Sequence, residues 1–370
     1  VTSPIVIAGG GTGGHVFVAE AVARALIEQG ERPESLEFVG SKRGQERTLL
    51  ANSGIALTLL PGRGLRRSFR PKAIVQNVGA LLGLALGIIE MLLRFAKNRP
   101  RVVVSVGGYG ALAPGIAAGL WRRPLVLVNI DASPGSTHRF LNRFTTASCV
   151  ITPSTPLRNP TVTGAPVRPE LQSLSRSLED RRAARLRLGC DPDLPFVAVT
   201  TGSLGAHSVN EAVRALGALW SSQAITIYHV TGRRDFAEMS SDVPENGLAG
   251  AYRLVAFQEN MADLYQASDV LICRAGALTV AEITVSGLCA VLIPLPGAPG
   301  DHQTKNAQAL VDHQAGIMLR DGDLNGATLS ATLERLLNDK DRRATMEQAA
   351  RQLGHPDAAN EVASVVLSHG

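Results

Sequence analysis

The chain has 370 residues, 45% of them apolar and 19% charged. That length suits about two domains at roughly 100–200 residues each, and the composition excludes intrinsic disorder and fibrous repeats. With 37 Lys and Arg against 32 Asp and Glu the net charge is +5, too small an excess for this length to indicate a nucleic-acid partner. Cys149, Cys190, Cys273 and Cys289 are widely spaced with no CxxC pair, which excludes a disulfide framework and argues against a metal site of the zinc kind.

Val1–Pro4 runs into an apolar stretch with no basic region ahead of it, so no secretory signal is expected. Ile5–Ala8, Leu36–Val39, Val102–Val106, Leu125–Val128 and Cys149–Ile151 are short Val/Ile/Leu-rich runs followed by Gly, Ser, Pro or Asn, the pattern of buried strands. Helix-length segments such as Ala19–Gln29 separate several of them, which predicts βα units and a parallel sheet covered on both faces. Val78–Ile89 holds twelve residues without a polar side chain, bracketed by Gln76, Asn77 and Glu90; a bilayer span takes about 20.

Thr161–Pro169 carries the Pro/Gly punctuation of a linker, followed by a polar, Arg-rich helix predicted over Leu171–Leu188. The strand pattern then restarts with Phe196–Thr200, Ile225–Val230, Tyr252–Ala256, Val270–Cys273 and Ala290–Ile293. The expected fold is therefore α/β, with two doubly wound Rossmann-like domains facing each other across a cleft. Ligands are expected at the carboxyl ends of the strands.

The first strand ends in Gly9-Gly10-Gly11-Thr12-Gly13-Gly14-His15, before a helix. Glycines let backbone approach a phosphate or sugar, and a helix N-terminus favours negative charge. The stretch has no Gly-Lys-Ser/Thr and fits GxGxxG only loosely, and no acidic residue ends the second strand, where Val39 runs into Gly40; a dinucleotide site is disfavoured. His15 has the side chain of a general base or of a simple helix-start hydrogen-bonder. A second glycine-rich turn, Thr200–Ala206, includes Ser203 as a phosphate ligand. Thr279 and Glu282 read either as a structural capping box or as a phosphate ligand and a ribose-binding carboxylate. Gln303 can both donate to and accept from a sugar hydroxyl. Asp191-Pro-Asp193 and Asp321-Gly-Asp323 match the metal–nucleotide pattern DxD but read as turns.

Six collinear motifs resemble the MurG family of bacterial N-acetylglucosamine transferases, within glycosyltransferase family 28. They are Gly10–His15, Gly107-Gly108-Tyr109, Thr163–Arg168, Gly202–Ala206, Arg274–Glu282 and Asp301–Ala307. The resemblance implies a GT-B fold. It divides the chain into an acceptor- and membrane-facing domain over 1–165, joined by a returning helix at about 347–370, and a UDP-sugar domain over 166–346. It implies transfer of N-acetylglucosamine from UDP-N-acetylglucosamine to the 4-hydroxyl of lipid I, with inversion, no cofactor and no metal.

By the same resemblance, His15 is the base, with Asp131 as a local rival. Thr12, Gly13 and Gly14 face the phosphates, and Asp131 faces the donor sugar. Arg168 and Ser203 serve the nucleotide, and the backbone of Gln258 lies beside the uracil. Ala277, Leu278, Thr279, Val280 and Ala281 cradle the diphosphate and sugar, Glu282 binds ribose, and His302 and Gln303 meet the sugar hydroxyls. The family's usual Pro is Val18 here, an apolar position is Glu20, and a His-Glu-Gln-Asn run reads Val128-Asn129-Ile130-Asp131. The resemblance also implies peripheral docking on the cytoplasmic face of the membrane. Arg66, Arg67, Arg70, Lys72, Ile74, Leu81 and Leu82 would then meet an anionic surface. The alternatives carried forward are a relative acting on another lipid, such as diacylglycerol, and a silent UDP-sugar-binding paralogue.

Overall fold

The computed structural model describes residues 3–11, 13–44, 46–50, 53–62, 64, 71–202, 205–241 and 252–370, without the side chains of 49 and 71–74. The chain divides into two compact units, one of Val1–Arg168 with His355–Gly370, the other of Pro169–Gly354.

In the first unit, β1 (Ile5–Gly9), α1 (Gly13–Glu28), β2 (Leu36–Ser41), α2 (Glu46–Leu49), β3 (Ala56–Leu60) and α3 (Pro71–Lys97) come first. Then follow β4 (Val102–Gly107), α4 (Leu112–Leu120), β5 (Leu125–Asn129), α5 (Ser136–Leu141), β6 (Ala147–Val150) and β7 (Pro160–Val162). The strands form one parallel sheet in the order β3-β2-β1-β4-β5-β6-β7. β1, β4, β5 and β6 are buried along their whole length, which is why they read as continuous apolar runs rather than alternating ones. The order reverses between β1 and β4, so the crevice for a ligand opens at their carboxyl ends.

In the second unit the chain runs through α6 (Pro169–Gln172), α7 (Leu178–Arg187), β8 (Phe196–Thr200), α8 (His207–Leu219), β9 (Thr226–Val230), α9 (Phe236–Ser241), β10 (Tyr252–Val255) and α10 (Met261–Ala267). It continues through β11 (Val270–Cys273), α11 (Ala277–Ser286), β12 (Ala290–Leu292), α12 (His302–Asp312), β13 (Ile317–Met318), α13 (Gly326–Leu337) and α14 (Lys340–Leu353). The parallel order is β10-β9-β8-β11-β12-β13, and the reversal falls between β8 and β11. The last helix, α15 (Ala358–His369), belongs to the first unit, where it packs on α1 and beneath β4, β5 and β6 through Ala359, Val362, Ala363 and Val366.

Two expected elements differ. The stretch expected as a linker over 161–169 begins with β7, an edge strand of three exposed residues paired to β6. The helix expected over 171–188 is broken: Ser177 caps α7 by accepting from the Asp180 N–H at 3.1 Å. The arginines of this segment are not a solvated face. Arg176 and Arg185 are buried. Arg181 grips Glu347 with two bonds of 2.8 and 3.0 Å, and Arg185 reaches Asp269 at 2.8 Å. Asp269 also accepts from the Phe196 N–H at 2.8 Å. This cluster ties α7 and α14 to the amino ends of β8 and β11, opposite the ligand-binding end of the sheet; burying so many charges is tolerable because each is paired and hydrogen-bonded.

Helix α3 carries two apolar stripes at helical spacing. Ala80, Gly83, Gly87, Met91 and Phe95 are buried on the unit, while Val75, Val78, Leu82, Leu86, Ile89 and Leu93 lie 53–72% exposed. The stretch Val75–Lys97 is long and apolar enough to cross a membrane, with 28% of its most apolar window buried. The sequence places the apolar run at twelve residues; the helix extends beyond it at both ends because Gln76, Asn77 and Glu90 join it without breaking it.

Candidate functional site

In the first unit, the loop after β1 delivers His15 in the first turns of α1. The imidazole lies against the turn after β4. A Cβ built on Gly107 would stand 3.1 Å from His15 Nε2 and 3.4 Å from His138 Cε1. Gly107 and Gly108 have φ of +95° and +76°, so glycine is required twice over at this point, by conformation and by space. Burial pulls the pKa of His15 below its ordinary 6.5, opposed by the negative charges of Asp131 and Glu46. A neutral imidazole is the form that accepts a proton.

Asp131 follows β5, and its main-chain carbonyl accepts from the Asn129 side-chain amide at 2.7 Å. Asn129 Oδ1 in turn lies 3.2 Å from His138 Nδ1, and His138 Nε2 is 3.2 Å from the hydroxyl of Ser105. His138 is 4% exposed, and burial, reinforced by the neighbouring His15, holds its pKa at about 4. This buried chain fixes the loop that carries Asp131 close enough to His15 to act on its charge. Gly13 and Gly14 begin α1, whose first N–H groups have no intrahelical acceptor and so suit an anion. Arg168 closes the first unit with its guanidinium 4.2 Å over the Phe17 ring of α1. Val18 is fully buried and Glu20 pairs with Arg24 at 2.7 Å, so both departures from the family pattern are accommodated by ordinary core and surface packing.

In the second unit, the switch point puts the carboxyl end of β8, which leads into Gly202, beside the loop after β11. Thr279 is not a helix cap: Gly276 is the N-cap of α11 and offers no side chain, so the first N–H groups, at Ala277, Leu278 and Thr279, face outward from the helix start. A capping box with Glu282 is thereby excluded. Val280 closes the first turn by donating its N–H to Gly276 O at 2.9 Å, and Ala281 follows it. Glu282 is 2% exposed and its Oε2 accepts from the Tyr265 hydroxyl at 2.9 Å.

Arg274 anchors the same loop. Its guanidinium donates to Asp321 and to Ser208, and Ser208 donates to Asp321 at 2.8 Å. Asp321 of the second DxD pattern is thus a structural acceptor. In the first pattern Asp191 accepts from the Asp193 N–H at 2.9 Å, which makes a turn. Among the described residues no group of three His, Cys, Asp or Glu is placed to hold a metal.

Gln258 has both ends of its side chain engaged, Oε1 accepting from Tyr228 at 2.9 Å and Nε2 donating to Asn260 O at 2.8 Å; its backbone is the part left for a ligand. Gln303 Oε1 accepts from the Leu295 N–H at 2.9 Å, so the side chain expected to donate and accept is turned with its NH₂ outward, as a donor. His302 Nδ1 lies 2.8 Å from Pro299 O. A carbonyl only accepts, so the proton sits on Nδ1 and a neutral His302 presents Nε2 as an acceptor. Gly300 and Asp301, with φ of +66° and +52°, bend the chain into α12, and Asn306 donates to Ala275 O at 3.1 Å, joining α12 to the loop before α11.

Thr12, Ser203, Arg66, Arg67 and Arg70 lie outside the described residues, as do the side chains of Lys72 and Ile74. Leu81 and Leu82 are 54% and 62% exposed. Two residues of the first-unit site were not singled out by sequence, Glu46 and His138. Neither lies in a motif; Glu46 had only the signal of an acidic residue shortly after the second strand.

Residues 5–150 match the model of the glycosyltransferase family 28 N-terminal domain and residues 196–362 that of its C-terminal domain. Among curated proteins, the chain is 38% identical over 371 residues to one from Alkalilimnicola ehrlichii, covering 99% of each chain. It is 35% identical over 363 residues to one from Acidothermus cellulolyticus, covering 98% of this chain and 96% of that one. Both are named UDP-N-acetylglucosamine–N-acetylmuramyl-(pentapeptide) pyrophosphoryl-undecaprenol N-acetylglucosamine transferase. Among solved structures, Acinetobacter baumannii MurG aligns with TM-score 0.76 and 28% identity, covering 99% of this chain and 100% of that one.

Proposed function

The chain belongs to glycosyltransferase family 28, and from that premise we propose how its residues carry the family's reaction. It is a UDP-N-acetylglucosamine transferase that adds N-acetylglucosamine to the N-acetylmuramyl sugar of lipid I, giving lipid II. The observation that carries this reading is likeness along the whole length to transferases of that name at 35–38% identity.

The acceptor 4-hydroxyl attacks the anomeric carbon of the donor sugar from the face opposite UDP. The new C–O bond forms as the bond to the diphosphate breaks, so configuration inverts. His15 takes the hydroxyl proton, a role suited to an imidazole kept neutral by burial. Gly13 and Gly14 at the start of α1 receive the acceptor pyrophosphate. The N–H groups opening α11 and the hydroxyl of Thr279 stabilise the negative charge on the departing diphosphate.

Glu282, oriented by Tyr265, accepts from the ribose hydroxyls. Gln303 donates and His302 accepts at the sugar hydroxyls. Asp131 accepts from the donor sugar and acts electrostatically on His15. Arg168 and Ser203 serve the nucleotide. The exposed apolar stripe of α3, with the basic segment around Arg66–Lys72, docks on the cytoplasmic face of an anionic membrane, where a lipid-linked acceptor resides.

The test is transfer from labelled UDP-N-acetylglucosamine to a short-chain lipid I analogue, with UDP-glucose and UDP-galactose in parallel. Disaccharide from N-acetylglucosamine alone is the expected result. No product, with UDP still bound, would overturn the proposal.

A further inference from the structure

The first glycine-rich loop is filled from within. Glu46 is 2% exposed, and its Oε1 accepts from the Gly11 N–H at 3.0 Å and the Ser41 N–H at 3.1 Å. Its Oε2 is buried with no hydrogen-bond partner among the described residues. Three glycines, Gly10 after β1 and Gly40 and Gly44 around the end of β2, make room for the side chain: a Cβ on Gly40 would lie 2.7 Å from Glu46 Cγ, and Cβ atoms on Gly10 and Gly44 would overlap its carboxylate. A loop of this kind is a ready anion site, and here the anion is a side chain of the same unit, so the Gly11 N–H is not offered to a phosphate.

A glutamine would make the same two bonds through its amide oxygen without burying a charge, which is costly when one oxygen is left unpaired. What glutamine lacks is the charge. The titratable groups facing His15 among the described residues are Glu46 from α2, Asp131 from the loop after β5 and His138 from α5. The two carboxylates favour the protonated imidazole against its burial, and His138 is neutral near pH 7 because its own pKa is about 4.

We propose that Glu46 is a positioning residue of the transfer reaction: it holds the loop that leads into α1 and places a fixed negative charge behind His15. The proposal rests on the reading of His15 as the base. Its experiment reads His15 directly, so that the two can fail separately. The ring titration of His15 is followed by NMR in the full chain, assigned by loss of the signal in His15→Gln, alongside kcat and KM across pH.

In Glu46→Gln the His15 midpoint should fall, the acid limb of kcat should move to lower pH, and the plateau kcat should drop about three- to tenfold as the base weakens. KM for both substrates should stay within about twofold. Glu46→Asp keeps the charge on a shorter arm and should hold the midpoint nearer the parent's. An unmoved His15 titration in Glu46→Gln, or a larger fall in Glu46→Asp than in Glu46→Gln, would overturn the proposal. Full activity in His15→Gln would instead remove His15 as the base and with it the catalytic half of the proposal, whatever the titrations show.

Discussion

The hydroxyl of Tyr265 donates to Glu282 Oε2 at 2.9 Å, and both side chains are buried. The carboxylate expected to take the ribose is therefore aimed by a phenol on the neighbouring helix α10. Removing that phenol in Tyr265→Phe forfeits one hydrogen bond to a charged group, worth about 1.5–3 kcal/mol. KM for UDP-N-acetylglucosamine should rise about tenfold with kcat little changed, as steady-state kinetics with the lipid I analogue would read. An unchanged KM would show that Glu282 does not need this aim.

His15 is functional as the neutral base, so activity should be lost as pH falls through its pKa. Burial places that pKa below 6.5 despite the pull of Asp131 and Glu46, and the acid limb of kcat should accordingly lie below pH 6.5. His15→Gln should cut kcat by about 10²–10⁴-fold with a small change in donor KM. A pH profile rising only above 6.5 would contradict the assigned direction.

Membrane docking by α3 predicts a different phenotype. Leu82→Glu combined with Leu86→Glu changes two exposed side chains and should leave thermal stability nearly unchanged. Each leucine that enters the interface contributes about 1.5–3 kcal/mol when fully buried. Co-sedimentation with anionic vesicles should therefore fall at least about tenfold, while transfer to a detergent-dispersed short-chain acceptor persists. Equal vesicle binding by parent and variant would remove the stripe from the interface.

Two buried histidines make stability pH-dependent. His138 in the first unit has its pKa held at about 4 and His229 in the second at about 3, both by burial. Their unfolded values are near 6.5, so the unfolded chain binds more protons below that pH. The stability they permit is complete above pH 6.5 and is lost as pH falls toward 4 and 3. At pH 5 each costs about 2 kcal/mol. Denaturation midpoints of both units should drop between pH 6.5 and 5, and His229→Gln should flatten the drop for the second unit only.

Much of this site was legible because its residues stand in strand–turn–helix motifs. β8 and β11 lie where their apolar runs place them, and His15, Thr279 and Glu282 follow the glycine-rich turns they were read from. β7 and β13 escaped because the first is exposed and begins at a proline and the second has two residues, whereas β3 is an apolar five-residue run, Ala56–Leu60, that was not singled out by sequence. Glu46 shows the deeper limit. No acidic residue ends β2, which disfavours a dinucleotide there. An acidic residue does serve the loop, from a four-residue helix beyond the strand, and only the fold brings it back to Gly11. His138 likewise joins the site through Asn129 and Ser105, neither of which any motif marks.

The final helix adds a constraint on biosynthesis. The second unit is one unbroken stretch, Pro169–Gly354, whereas the first needs His355–Gly370 to cover α1 and the underside of its sheet. On the ribosome, the unit whose synthesis starts first is thus the last to be finished. The sheet face of the first unit stays uncovered until residues 355–370 emerge, and a premature stop near residue 355 would leave that unit open while sparing the second.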